Sequence, residues 1–296
     1  MTFDLVIVGA GPAGLSAAAH AAKLGMNYVL LEGSNAPANT IQRYQKGKHV
    51  MAEPSIVPLR SDLGFTAGTR EAILDSWQSG IDSLEVNIRY GCEVASVTGT
   101  KPDFSLQLGN GESLQAAAVV LAIGLQGNPR KLGVDGESDT SVQYTLDDPD
   151  EYQGESVVVI GAGDAAIENA VALARKNTVT IVNRRDEFAR AKEGNLTLIT
   201  RSIEDGLINC FYNSSVASVE PGTAISLNTD TGEALVPCDR VIARLGAIPP
   251  RRFVESCGIE FPNDDPTTLP ELSNHYESNV PGLYVIGALG AVSYTH

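Results

Sequence analysis

The strongest constraint on how this chain folds is a pattern that occurs twice. Residues 3–8, FDLVIV, make an apolar run short enough for one buried strand, and Gly9-Ala10-Gly11-Pro12-Ala13-Gly14 follows without a gap. An alanine-rich helical run extends to about Leu24, and NYVLLEG then reads as a second strand ending at Glu32. The later stretch SVVVIGAGDAAIENAVALARKNTVTIVNRR, from Ser156, repeats strand, glycine turn, helix and strand, with Gly161-Ala162-Gly163-Asp164-Ala165-Ala166 at the turn. Each copy is a β-α-β dinucleotide unit. Its first glycine permits a tight turn, the second lets backbone approach a pyrophosphate, and the third lets helix and strand pack closely. The helix N-terminus adds unpaired N–H groups and a positive dipole end.

The copies differ in charge where the second strand ends. Counting from the first glycine gives 32 − 9 = 23 and 184 − 161 = 23, which places Arg184 at the position of Glu32. A carboxylate there accepts hydrogen bonds from a free ribose and repels a 2′-phosphate, whereas guanidinium groups bind that phosphate through charge-assisted bonds. The first copy is therefore expected to hold FAD through Gly9, Gly11, Pro12, Ala13, Gly14 and Glu32. The second is expected to hold NADPH through Gly161, Gly163, Asp164, Ala165, Ala166, Arg184 and Arg185, with Arg190 completing the phosphate pocket. Two such sites in one chain imply hydride passing from nicotinamide to flavin.

At 296 residues the chain has room for two domains of ordinary size. A net charge of −15 argues against nucleic acid and against an anionic membrane surface as partners. The apolar start lacks the basic region of a signal peptide, and its glycines and Pro12 interrupt it before the roughly 20 residues a membrane span needs; a cytoplasmic protein is expected. Its four cysteines, Cys92, Cys210, Cys238 and Cys257, come no closer than 257 − 238 = 19 positions. That spacing contains no C-x-x-C pair and no metal-ligand pattern, and none is expected.

Further segments carry a resemblance. VVLAIGLQGNPRKLGVDG from Val119 contains Ala122, Ile123 and Gly124 where an A-T-G turn would stand; CDRVIARLG from Cys238 ends at Gly246; and NVPGLYVIG from Asn279 ends at Gly287, followed by Ala288. Asn183, Arg184, Arg185 and Arg190 follow an H-R-R-x-x-x-R signature, with Asn for His and one extra residue. On these residues the chain resembles, over nearly its whole length, the thioredoxin reductase-like flavoproteins of the two-dinucleotide-binding-domain superfamily. The resemblance implies an α/β fold of two Rossmann-like domains, with an NADPH domain (124–245) inserted into a discontinuous FAD domain (1–123 and 246–296). It also implies adenine clamped by the 90–97 strand with Val94 as the contact, Gly33 and His49 beside the flavin, Glu168 near the nicotinamide, Gly246 among the NADP-binding residues, and a homodimer. The flavin carries the chemistry in such proteins, so no catalytic side chain is assigned.

The departures from the family matter as much. Where thioredoxin reductases carry a C-x-x-C, this chain reads Tyr144-Thr145-Leu146-Asp147-Asp148-Pro149-Asp150, and Ala13 stands where bacillithiol disulfide reductases carry a cysteine. Neither activity is expected. The 296 − 286 = 10 residues after Ile286 are too few for the family's last helix, which implies either a truncated chain or a fused or partner-completed form. The KHVMAEP segment from Lys48 is similar to reductase-like modules fused to cyclic-nucleotide-binding domains. The expected activity is an NADPH-dependent FAD oxidoreductase with an unidentified electron acceptor and no dithiol. The alternatives are a ferredoxin or flavodoxin–NADP reductase and a non-catalytic nucleotide-sensing module.

Overall fold

The structure, a computed structural model, describes residues 2–50, 61–125, 127, 129–266 and 268–290. The 51–54 part of the KHVMAEP segment and residues 291–296, on which the missing-helix expectation falls, lie outside them. The chain divides into two compact units. The first comprises Met1–Gln42, Gly47–Asn128 and Ala247–His296, and the second Arg43–Lys46 and Pro129–Gly246.

The first unit begins with β1 (Thr2–Val8), α1 (Pro12–Lys23) and β2 (Tyr28–Leu31), followed by the short α2 (Asn39–Gln42). A two-stranded ribbon of β3 (His49–Val50) and β4 (Gly68–Thr69) leads into α3 (Arg70–Ser83). The Thr69 Oγ1 caps α3 by accepting the Ala72 N–H at 3.3 Å, and Trp77 on that helix is buried core. Next come β5 (Ile88–Arg89), β6 (Val94–Thr100), β7 (Asp103–Leu108) and β8 (Ser113–Leu121).

The second unit contains β9 (Val142–Gln143), β10 (Ser156–Ile160), α4 (Asp164–Leu173), β11 (Thr178–Val182), α5 (Glu193–Glu204) and β12 (Ile208–Phe211). After these come β13 (Ser215–Glu220), β14 (Ala224–Thr229), β15 (Gly232–Pro237) and β16 (Arg240–Ala243). The chain then returns to the first unit with α6 (Arg251–Ser256) and β17 (Leu283–Val285).

The expected α/β architecture of two Rossmann-type sheets is present. In the first unit the order β5-β2-β1-β8 is parallel, as is β17 on β8, while β8-β7-β6 is an antiparallel meander. One edge of β8 serves two partners: Ser113 to Ala116 pair with β7, and Val119 to Leu121 pair with β17. In the second unit all five strands of β12-β11-β10-β16-β9 are parallel, and β13-β14-β15 form a separate antiparallel sheet. Strands covered on both faces are apolar without alternation. In SVVVI of β10 and TVTIV of β11 the last four residues are buried. Ile181, fully enclosed, packs in one core with Val159, Ile167 and Leu173; emptying such a position to alanine costs about 2–5 kcal/mol.

The 90–97 segment differs from expectation. Its strand starts only at Val94, because Gly91 takes φ +65° and turns the chain. Residues 90–93 instead run beside the end of β2, where the Gly91 N–H donates to the Ser34 carbonyl at 3.0 Å and the Cys92 N–H to the Glu32 carbonyl at 2.8 Å.

Candidate functional site

In the first unit, β1 and β2 are in parallel register up to Val8 opposite Leu31, and the Gly9 N–H donates to the Leu31 carbonyl at 2.8 Å. Gly9 sits at φ +98°, and a Cβ there would lie 2.7 Å from the Ala122 carbonyl oxygen. A Cβ on Gly14 would run into the Gly9 carbonyl, so the third glycine is what lets α1 begin against the strand. Gly11 differs: it caps α1 in extended backbone, and a Cβ on it would meet nothing within 4 Å. The space above the helix start is open there, beside first-turn N–H groups that have no partner within the helix. Pro12 fills the first helical position, where its missing N–H costs nothing.

Glu32 closes this turn. Its Oε2 accepts the Ala10 N–H at 2.8 Å, and its Oε1 accepts the Ser34 N–H at 2.9 Å and the Ser34 hydroxyl at 2.7 Å. A carboxylate offers about four acceptor positions, so one stays available for a hydroxyl. Ser34 is a member of this site that the glycine pattern did not reveal. Ala122 donates its N–H to the Val8 carbonyl at 2.8 Å, Ile123 packs against the first unit's core, and Gly124 follows at φ +64°. The Ile286 N–H donates to the Leu121 carbonyl at 3.0 Å, and a 3-10 turn, Gly287–Leu289, carries Ala288. A Cβ on Gly287 would stand 2.9 Å from that of Ala13, so these two glycine turns abut. Gly33 is exposed next to Glu93, and Val94 opens β6. His49 is exposed in its ribbon.

The second unit repeats the arrangement with one correction. Ile160 is opposite Val182, and the Gly161 N–H donates to the Val182 carbonyl at 3.1 Å. Between paired residues the spans are 31 − 8 = 23 in the first copy and 182 − 160 = 22 in the second. The crossover from strand to strand is thus one residue shorter in the second copy, and Asn183, not Arg184, occupies the position of Glu32. Asn183 is buried and organises the turn: its Nδ2 donates to the Glu187 carbonyl at 2.9 Å and its Oδ1 accepts the Arg185 N–H at 3.0 Å. Arg184, Arg185 and Arg190 are all exposed around it, with Phe188 buried between them.

Gly161, at φ +132°, has the Arg244 carbonyl 2.5 Å from where a Cβ would stand, whereas a Cβ on Gly163 would meet nothing within 4 Å. Ala165 and Ala166 lie in the first turn of α4, and the Ala166 N–H donates to the Gly163 carbonyl at 2.9 Å. Asp164 turns toward α5, its Oδ1 accepting the Lys192 N–H at 2.9 Å and the Asn195 Nδ2 at 2.8 Å. Glu168 also accepts from Asn195 Nδ2, at 3.2 Å. Gly246 is exposed at φ +80° just beyond β16.

All four cysteines are free, and burial pushes Cys210, Cys238 and Cys257 up to about 11 each. Such groups hold their protons at neutral pH and are poor nucleophiles. Among the described residues no His, Cys, Asp or Glu cluster could hold a metal, and no helix is long and apolar enough to cross a membrane.

Two Rossmann-type units, each with an open glycine turn at a helix start, define a dinucleotide-dependent flavoprotein oxidoreductase. The chain belongs to the pyridine nucleotide-disulphide oxidoreductase family, whose model matches residues 6–287. It is 26% identical to a ferredoxin–NADP reductase of Ignicoccus hospitalis, across 96% of this chain and 89% of that protein. It is likewise 26% identical to a thioredoxin reductase of Listeria monocytogenes, across 98% of this chain and 87% of that one. The solved bacillithiol disulfide reductase Bdr of Staphylococcus aureus superposes with a TM-score of 0.89 at 21% identity, covering 100% of this chain and 93% of that one, a likeness of fold.

Proposed function

We propose that the chain is an NADPH-dependent FAD oxidoreductase that passes electrons to an acceptor without using a dithiol. The observation that carries this reading is the contrast between the two strand ends, one closed by Glu32 and the other flanked by Arg184 and Arg185. In this reading the first unit takes FAD. The open backbone at Gly11 and the N–H groups of Ala13 and Gly14 receive the pyrophosphate, Glu32 takes the ribose, and Gly33, His49, Val94, Ala122, Ile123, Gly124, Gly287 and Ala288 line the remainder. The second unit takes NADPH, with Gly163 and Ala165 at the pyrophosphate, Arg184, Arg185 and Arg190 on the 2′-phosphate, and Glu168 and Gly246 toward the nicotinamide. When bound, FAD supplies the redox centre that takes hydride from NADPH.

Asn183 holds the backbone turn from which both arginines project, so the strand end itself needs no ordering at the moment of binding, and only the exposed side chains lose freedom. The wide separation of the cysteines and the protonated state of three of them support an acceptor other than a disulfide. The likeness to the Ignicoccus hospitalis reductase favours a ferredoxin-type acceptor as the second reading. A cytoplasmic homodimer belongs to the same proposal, and sedimentation of the purified protein checks the dimer.

The test is anaerobic addition of NADPH to the flavin-loaded protein. Rapid loss of the flavin absorbance is expected, and a flavin that stays bound and oxidised would point to a nucleotide-sensing module instead. Reduction of cytochrome c that depends on added ferredoxin would establish the second reading. Replacing Arg184 and Arg185 together by alanine should weaken NADPH by about a hundredfold while changing NADH little, since two charge-assisted bonds are lost.

A further inference from the structure

Arg244 emerges at the carboxyl end of β16. Its N–H donates to the Ile160 carbonyl at 2.7 Å, and its own carbonyl forms the wall beneath Gly161, so the residue is seated directly against the second glycine turn. In the order β11-β10-β16 the connections leave β10 toward opposite sides. The crevice at the carboxyl ends of β10 and β16 is therefore a topological switch point, where open α/β sheets hold ligands.

The guanidinium is enclosed there. Its Nη1 donates to the Tyr144 carbonyl at 2.6 Å, while its Nε is buried without a hydrogen-bond partner. Tyr44 and Glu168 are its charged and polar neighbours; burial pushes Arg244 below its ordinary value and these two groups pull it back. Tyr44 reaches it from Arg43–Lys46, which belongs to the second unit. That segment is fastened by the Lys46 N–H to the Asp147 carbonyl at 2.7 Å and by Asn169 Nδ2 to Gln45 Oε1 at 2.8 Å. Asn169, only 4% exposed and next to Glu168 on α4, leaves its Oδ1 without a partner. A buried donor left unsatisfied at a switch point, with a buried acceptor left unsatisfied on the neighbouring helix α4, calls for a polar ligand.

We propose that Arg244 positions the nicotinamide half of the pyridine nucleotide, donating to the oxygens of its phosphate and ribose. The inference rests on assigning the second unit to NADPH. Its geometry is topological. The arginines at the end of β11 lie on one side of β10 and hold the adenosine end. Arg244, at the end of β16, lies on the other side, where a nucleotide draped over the start of α4 arrives with its nicotinamide half.

The test is calorimetric titration with NADP+ and with 2′,5′-ADP, which keeps the 2′-phosphate and lacks the nicotinamide half. Arg244→Met should weaken NADP+ about tenfold or more and leave 2′,5′-ADP unchanged, because one charge-assisted bond is lost from one end only. Arg244→Lys should recover part of that loss. The Arg184→Ala, Arg185→Ala double variant should weaken both ligands. Unchanged NADP+ binding in Arg244→Met, or equal losses of NADP+ and 2′,5′-ADP, overturns the proposal. If Arg244→Met does not fold by circular dichroism, Arg244→Gln is titrated against the same two outcomes. A double variant that keeps its preference for NADP+ over NAD+ overturns the phosphate assignment instead, and Arg244 is then judged on NAD+ against 5′-AMP. A parent protein that binds neither dinucleotide overturns both.

Discussion

At Gly11 and Gly14 the same added methyl group has opposite consequences. Gly14→Ala drives a Cβ into the Gly9 carbonyl, so the start of α1 must move, at a cost of about 1–3 kcal/mol. Gly11→Ala meets nothing within 4 Å and should leave thermal stability near that of the parent, yet it fills the space a pyrophosphate would take. Melting curves of the flavin-free protein and flavin titrations should separate the pair: Gly14→Ala lowers the melting temperature, and Gly11→Ala lowers flavin affinity alone. Residue types at these turns were legible in the sequence because glycine needs a backbone reason to recur there. The partner of Glu32 in the second copy was not. Equal counts from glycine to charge concealed a connection shorter by one residue, and only strand pairing reveals that Asn183 stands in that place. Arg244 was hidden for a related reason, since its neighbours are distant in sequence, whereas Ser34 was hidden because its bonds to the nearby Glu32 follow from the turn's geometry and not from a residue pattern.

Among elements, the crossover leading into the second unit is tied by Glu137. Its carboxylate accepts the Leu132 N–H at 2.8 Å, the Gly133 N–H at 2.7 Å and the Tyr144 hydroxyl. Burial alone would raise Glu137, but those three bonds outweigh it and hold the group below its ordinary value; burial, then the bond to Glu137, pushes Tyr144 up to about 12. A carboxyl with a depressed folded value adds stability above its unfolded value, and that stability is lost as pH falls toward the folded one. Melting temperature followed below about pH 4.5 should therefore drop less steeply in Glu137→Gln than in the parent. The parallel strands β1, β2, β10 and β11 were readable as unbroken apolar runs. The antiparallel β13-β14-β15 sheet was not anticipated, because β13 and β14 show no strict alternation in exposure and carry Ser, Thr and Asn that read equally well as loop.

For the molecule as a whole, chemistry without thiols has a direct check. Iodoacetamide at neutral pH should react slowly at Cys210, Cys238 and Cys257, and NADPH oxidation with an artificial acceptor should survive the treatment. The discriminating readout is the alkylation rate, since an exchange-active thiol would react fast; a Cys92→Ser variant removes the remaining thiol as a confounder. The first unit draws on stretches from both ends of the chain. The consequence for biosynthesis lies in the shared edge of β8. Among the described residues the slot beside Val119 to Leu121 is filled by Leu283–Val285, which leaves the ribosome after the entire middle unit has been made. A nascent chain thus carries a half-zipped sheet, with bare amide groups available to any passing strand, while the contiguous middle unit can already close on itself. Release of the last strand, rather than of the first glycine turn, sets the moment at which the amino-terminal half becomes safe from aggregation.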